Sequence, residues 1–239
     1  MPGEKPLLMT MTGEMHQPVR LYYEVMDQAA VLKAFAKLRC MDDDQDNQRW
    51  VWLYHGEAKK LTFHTSYAAI PRKMRPIVLG SWRFANTEAM SLDVRSWERA
   101  TKAVVFFDHA LKRSIAQVTH AAIVNRLFPS TTDGLPELED LFAPEKVTEI
   151  HPEEMLLRVT ASLQTLHDPG QRRDMAFAMM EQQSKQPLPD VEKFPVHFYD
   201  DGIASFENAL RLRQIVAFEH WRGNTDYTLG DIIRKVSAG

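Results

Sequence analysis

Ser96-Trp97-Glu98-Arg99-Ala100-Thr101-Lys102-Ala103-Val104-Val105-Phe106-Phe107-Asp108-His109-Ala110-Leu111 is the stretch on which the fold turns. Trp97, Ala100, Val104, Phe107 and Leu111 recur at i, i+3, i+7, i+10 and i+14, which draws one apolar stripe along an α-helix. Ser96 suits the N-cap, and Glu98 places negative charge in the first turn. A helix with a single apolar stripe needs a surface to cover, so its flanks decide the architecture.

Those flanks read as strands. Residues 77–84 and 89–95 form a hairpin around Ala85-Asn86-Thr87-Glu88; in residues 114–128 Ile115, Val118, Ala122 and Ile123 fit either a strand or a helix, and the Val, Ile and Thr content favours the strand. Further upstream, Val19-Arg20-Leu21-Tyr22-Tyr23-Glu24-Val25 alternates apolar with polar positions, the period of a strand. Residues 28–41 carry Leu32, Phe35 and Leu38 at helical spacing, and the acidic run Asp42-Asp43-Asp44-Gln45-Asp46-Asn47 closes that helix as a solvated turn. Residues 50–54 and 61–67 are two further strands, and residues 70–76 are a proline-bracketed loop. The resulting order β-α-β-β-β-β-α-β contains the ferredoxin-like order β-α-β-β-α-β with an extra hairpin.

Downstream the composition changes. Residues 129–150 hold Pro136 and Pro144 among acidic residues and read as an acidic linker. Pro152 and the two glutamates after it open a helix with Leu156, Val159, Leu163 and Leu166 as its stripe, stopped by Asp168-Pro169-Gly170. Residues 171–184 form a second helix with Met175, Ala178 and Met179 inward, residues 196–199 a short strand, and residues 205–222 a helix with Phe206, Ala209, Leu212 and Val216 inward. Residues 231–236 close the chain as a short helix. The expected fold is therefore α+β. A loosely ordered arm, 1–17, precedes an N-terminal mixed or antiparallel sheet with two covering helices, 18–128. The linker and a mainly helical part, 151–239, follow, and the linker is short enough for both parts to share one core. Ser96-Trp97-Glu98-Arg99-Ala100 has an echo in Ser205-Phe206-Glu207-Asn208-Ala209, with a spacing to the next histidine that differs by two residues.

The chain has 239 residues, 44% hydrophobic and 26% charged, which excludes disordered and collagen-like classes. One cysteine, Cys40, excludes an intrachain disulfide framework and a Cys-based zinc site. No apolar run reaches the roughly 18 residues of a membrane span. The first sixteen residues carry Glu4, Lys5 and Glu14 around only Leu7-Leu8-Met9, which is no signal-peptide pattern. The expectation is a soluble, cytoplasmic protein.

Motifs for chemistry fail one after another. The nine histidines include no His-x-x-x-His pair for a helix face. Asp42, Asp44 and Asp46 open like a calcium loop, but Asn47 and Leu53 stand where glycine and glutamate belong. The ten glycines form no dinucleotide or phosphate-binding loop, and no nucleophile elbow surrounds a serine. No cofactor and no metal are expected.

Charge carries the remaining signal. Residues 1–128 hold 18 Lys and Arg against 13 Asp and Glu; residues 129–239 hold 11 against 19. Lys59, Lys60, Arg72, Lys73 and Arg75, with Lys112 and Arg113, are interleaved with Trp50, Trp52, Tyr54, Phe63, Tyr67 and Trp82. Aromatics and cations together suit bases and phosphates. The same asymmetry suits self-association of a basic N-terminal with an acidic C-terminal surface. Asp93 and Arg95 share one strand face with Glu98 following, the outline of a carboxylate and arginine site. The leading expectation is a non-catalytic binding or accessory protein. The alternative is a nucleic-acid-binding or nucleic-acid-processing protein using Lys59, Lys60, Arg72, Lys73 and Arg75, and the third an enzyme with a carboxylate, arginine and histidine site.

Overall fold

A computed structural model describes residues 6–130, 134–164 and 166–237. Residues 1–5 of the expected arm, 131–133 of the expected linker and the Leu156 side chain lie outside the described residues. In chain order the elements are β1 (Val19–Val25), α1 (Gln28–Phe35), β2 (Met41–Asp44), β3 (Arg49–Leu53), β4 (Val78–Phe84), β5 (Ala89–Val94), α2 (Trp97–Ala110) and β6 (Ala116–Val124). Then come α3 (Leu138–Leu141), β7 (Val147–Glu149), α4 (Pro152–Gln164), α5 (Pro169–Ser184), β8 (Val191–Pro195), α6 (Phe198–Asp201), α7 (Ile203–Trp221) and α8 (Leu229–Ser237). The eight strands form one mixed sheet in the order β2-β3-β4-β5-β1-β6-β8-β7, antiparallel except for the parallel pair β7 and β8. The fold is α+β. Among the described residues, no helix is long and apolar enough to cross a membrane.

Strand alternation sorts the sheet into two faces. Val19, Leu21, Tyr23 and Val25 of β1 point to the face that α1, α2 and α7 cover, and join Trp52, Trp82, Leu92 and Val118 in the main core. Phe107 of α2 sits at the centre, its ring centroid 4.8 Å from Trp82 and 5.2 Å from Trp52. Four of the five residues of the expected helical stripe, Ala100, Val104, Phe107 and Leu111, are buried, and Trp97 at its start is half-buried against the same core. Phe194 of β8 and Phe206 and Leu210 of α7 lie in the same core, so residues from both halves of the sequence meet there. On the opposite face, α3 and its neighbours place Leu141 and Phe142 against Ala122, Val124 and Val191. Arg20 and Asp93 lie on that face too, with two hydrogen bonds of 2.6 and 2.9 Å from the guanidinium.

Several expectations are corrected. The helix expected over 28–41 stops at Phe35, and the acidic run begins as strand β2, paired with β3 from Met41 opposite Trp52 to Asp44 opposite Arg49. Carboxylates suit this position, because β2 is an outer edge of the sheet and charge there blocks pairing with another chain. With β2 and β4 on either side of β3, no slot is left for residues 61–67, which form no strand. That segment instead wraps around Tyr54, whose hydroxyl donates to the Leu61 carbonyl at 2.9 Å and accepts the Tyr67 N–H at 3.1 Å.

The strand expected at 196–199 lies at 191–195, because β8 pairs with β6 before the chain turns into α6. Residues 6–17 are packed rather than loose: Thr12, Glu14, His16 and Gln17 are buried, and Gln17 donates to the Val124 carbonyl at 3.0 Å. Met175 and Ala178 are exposed because α5 packs on α4 and α8 rather than on the sheet, and Leu212 of α7 is exposed as well, whereas Phe206 and Leu210 of that helix face the core. The sequence echo breaks at its first residue. Ser96 caps α2, whereas Ser205 lies inside α7, which starts at Ile203.

Candidate functional site along α2

The Ser96 hydroxyl accepts the Arg99 N–H at 3.2 Å, so α2 starts within two residues of the end of β5. That tight start fixes the directions of Trp97, Glu98 and Arg99. Arg99 points inward and is almost wholly buried, a costly position for a cation without partners. Its Nη2 donates to the Thr12 hydroxyl at 2.7 Å and its Nη1 to the Val78 carbonyl at 3.1 Å, while Glu14 Oε2 lies 3.8 Å from Nη2.

The partners of Arg99 come from the turn over 10–14. Both Thr10 and Thr12 donate their hydroxyls to Glu14 Oε2. Gly13 makes the turn possible: its φ is +92°, and a Cβ there would stand 2.9 Å from Cβ of His64. The Thr65 N–H donates to the Thr12 carbonyl at 2.8 Å, which ties the turn to the segment after Leu61. Among the described residues, Glu14 Oε1 is buried with no partner, as is Glu98 Oε2.

An apolar groove of about 580 Å³ runs beside this cluster, between α2, the segment near Leu61 and the start of α7. Leu38, Leu61, Val105, Phe106 and Ile203 give it its apolar character, and Trp97 lines it with a buried indole N–H that has no acceptor among the described residues. Glu98 and Lys102 are shared with a second recess of about 250 Å³, which Glu14, Phe63 and His64 also line. Burial raises the Glu98 carboxyl above its ordinary value against the backbone hydrogen bond that lowers it, and the charge of Glu14 raises it further. Burial lowers the Arg99 guanidinium to about 10, with Glu14 opposing that shift. A groove of this size with a few converging polar atoms has the form of a small-molecule site.

Of the residues expected to bind nucleic acid, Lys59, Lys60, Arg72 and Lys73 are exposed and Arg75 is half-buried. None of the five has an ion pair within 4.0 Å among the described residues. Lys59 and Arg75 converge on one aromatic ring, Tyr67, at 4.7 and 4.6 Å from its centroid. Arg75 also donates its Nε to the Ile70 carbonyl at 2.7 Å and so holds its own loop together. Of the six aromatics expected to stack bases, Trp52, Tyr54 and Trp82 are buried in the core, and Trp50, Phe63 and Tyr67 are half-buried against it.

Asp93 and Arg95, expected to share one strand face as the outline of a site, part company: β5 ends at Val94. Asp93 binds Arg20, while Arg95 is exposed. Cys40 is buried, and its thiol is pushed up to about 12, mainly by burial, with Glu57 adding to it. Among the described residues, no group of three or more His, Cys, Asp and Glu side chains is placed to hold a metal ion.

Sequence reasoning missed Glu14, Arg99 and Lys102 as site residues. The readable signal was Arg99 itself, a cation on the buried side of a helix beside Ala100 and Ala103. Comparison with known proteins adds no relative: no protein-family model, curated protein or solved structure matches the chain.

Proposed function

We propose that the protein is a non-catalytic binding protein that holds a small, largely apolar molecule in the groove along α2. The observation that carries this reading is the combination of about 580 Å³ of apolar space with a buried indole N–H on Trp97 and a buried carboxylate oxygen on Glu98, neither with a partner. Orphaned buried polar atoms cost stability, and a ligand that satisfies them recovers it. The test is titration with N-phenylnaphthylamine, an uncharged fluorophore that brightens in apolar surroundings. Wild type gives a saturable rise, and Val105→Trp, which fills the groove, removes it while leaving the thermal melt in place. No saturable rise, or an equal rise in Val105→Trp, sinks the reading.

A second reading, nucleic-acid binding, is supported by the unpaired exposed cations Lys59, Lys60, Arg72 and Lys73. Its test replaces those four by Gln and keeps Arg75, because Arg75 holds the loop. The reading requires wild type to retard single- or double-stranded probes, with affinity falling on single strands by a log–log salt slope of about −0.7 per phosphate contact. Absence of retardation at low salt and micromolar protein ends it.

The ferredoxin-like reading of the N-terminal part is supported by the order β4-β5-β1-β6, antiparallel throughout, with α1 following β1 and α2 joining β5 to β6. A cytoplasmic home is supported by the single cysteine of the sequence, held as a free buried thiol.

A further inference from the structure

We infer that the ligand of the α2 groove is a cationic amphiphile, an apolar chain or ring system ending in an ammonium group that lodges between Glu14 and Glu98. This rests on the groove being a ligand site and adds the sign of the ligand's charge.

Four observations fix that sign. First, the two unpartnered carboxylate oxygens are on residues that line the same recess, Glu14 Oε1 and Glu98 Oε2, and Glu14 is only 1% exposed. Carboxylate oxygens accept hydrogen bonds, and an ammonium brings three donors. Second, the nearest buried cation answers only the other Glu14 oxygen: Arg99 Nη2 lies 3.8 Å from Glu14 Oε2, its hydrogen bonds go to Thr12 and the Val78 carbonyl, and Glu14 Oε1 is left without a donor among the described residues. Third, Lys102 makes no ion pair within 4.0 Å among the described residues, and its Nζ stands 5.4 Å from the centre of the Phe63 ring. With Arg99 beside Glu14 Oε2, half-buried Lys102 is the cation that lines the recess with the two free carboxylate oxygens. Fourth, the recess shares Glu98 and Lys102 with the long apolar groove, so a charged head in one is continuous with an apolar body in the other.

The remaining polar group, the Trp97 indole N–H, is an uncharged donor and suits a neutral oxygen on the ligand body without setting its charge. Arg95 and His64 near the cluster are exposed, so water screens them from the recess; buried His16, beside Arg99, is held neutral, as is the buried Tyr54 hydroxyl near Glu14, and Glu57, His109 and Glu207 line the apolar groove rather than the recess. Charge-assisted hydrogen bonds to carboxylates are about twice as strong as neutral ones, which makes the head group the main source of selectivity.

The experiment is competition against bound N-phenylnaphthylamine by three chains of equal length: n-octylammonium, n-octanol and n-octanoate, each below its micellar concentration. The expected result is displacement by n-octylammonium at a concentration at least about tenfold lower than by n-octanol, with n-octanoate weakest. Glu98→Gln should erase that preference, bringing the n-octylammonium and n-octanol midpoints of the variant to the same concentration. Glu14 is tied to a buried arginine, so Glu98, nearer the surface, is the residue to vary. Lys102→Met serves as the second variant and should keep or sharpen the ammonium preference. If the fluorophore fails to bind wild type, the groove itself is not a ligand site. If the fluorophore binds but the three chains compete equally, or n-octanoate leads, the groove stands and the inferred charge is wrong. An ammonium preference that survives Glu98→Gln also overturns the inference.

Discussion

Arg99 and Glu14 meet inside the protein at 3.8 Å, both close to complete burial, with the Thr12 hydroxyl between them accepting from Arg99 and donating to Glu14. The residues are 85 positions apart, so this one contact joins the turn after the N-terminus to the first turn of α2. It also holds the carboxylate at the wall of the recess. The price of burying two charges is high, and it is offset only while both are present.

Removing one partner should therefore cost far more than removing both. Arg99→Met leaves Glu14 buried and uncompensated, and the expected loss is about 3–5 kcal/mol. The double variant Arg99→Met with Glu14→Gln should recover most of it. Urea unfolding of the three proteins checks this. A double variant as unstable as Arg99→Met would show that the pair carries no coupling.

The aromatic centre gives a second prediction. Phe107 touches Phe35, Trp52, Trp82 and Phe106 with ring centroids 4.8–6.0 Å away, and it is 1% exposed. Phe107→Ala should cost about 3–5 kcal/mol in chemical denaturation, from lost burial plus the cavity left behind. A loss under about 1 kcal/mol would mean that α2 does not pack on the sheet as described.

His16 supplies a pH dependence. Burial, with help from Arg95 and Arg99, lowers its imidazole from 6.5 to about 4, and its ring packs edge-on against Phe128 at 5.4 Å. The folded pKa lies below the unfolded one, so between about pH 6.5 and pH 4 the unfolded chain takes up the proton and the folded chain does not. Stability from this group is complete above pH 6.5 and falls as pH drops towards 4. One unit corresponds to about 1.4 kcal/mol, so the loss is on the order of 3 kcal/mol. In His16→Phe the slope of stability against pH over this window should be shallower than in wild type. Equal slopes would contradict the neutral, buried state of His16.

What could be read from the sequence was mostly what periodicity governs. The α2 stripe, β1 and the hairpin of β4 and β5 each bury one face, and a single buried face leaves its period in the chain. Residues 61–67 failed this test in an instructive way. They alternate like a strand, yet the acidic residues 42–44 take the slot beside β3. Pairing is a competition between segments, and no local pattern records its outcome. The site was hidden for the same reason. Glu14 and Arg99 looked like unrelated charges, and only the glycine turn at Gly13 against His64 brings them together. The basic residues were visible as composition, whereas the core role of Trp52 and Trp82 was decided by α1 and α2 folding over them.

The most direct measurement is nitrogen-labelled amide spectroscopy of the full chain during titration with N-phenylnaphthylamine. The groove reading predicts that the largest shifts fall on residues around it, Leu38, Leu61, Val105 and Ala110 with Ile203 of α7. It predicts little change at β2 or on α5. Shifts scattered over the surface, or gathered on the exposed side chains of α5 such as Phe177 and Met180, would contradict it.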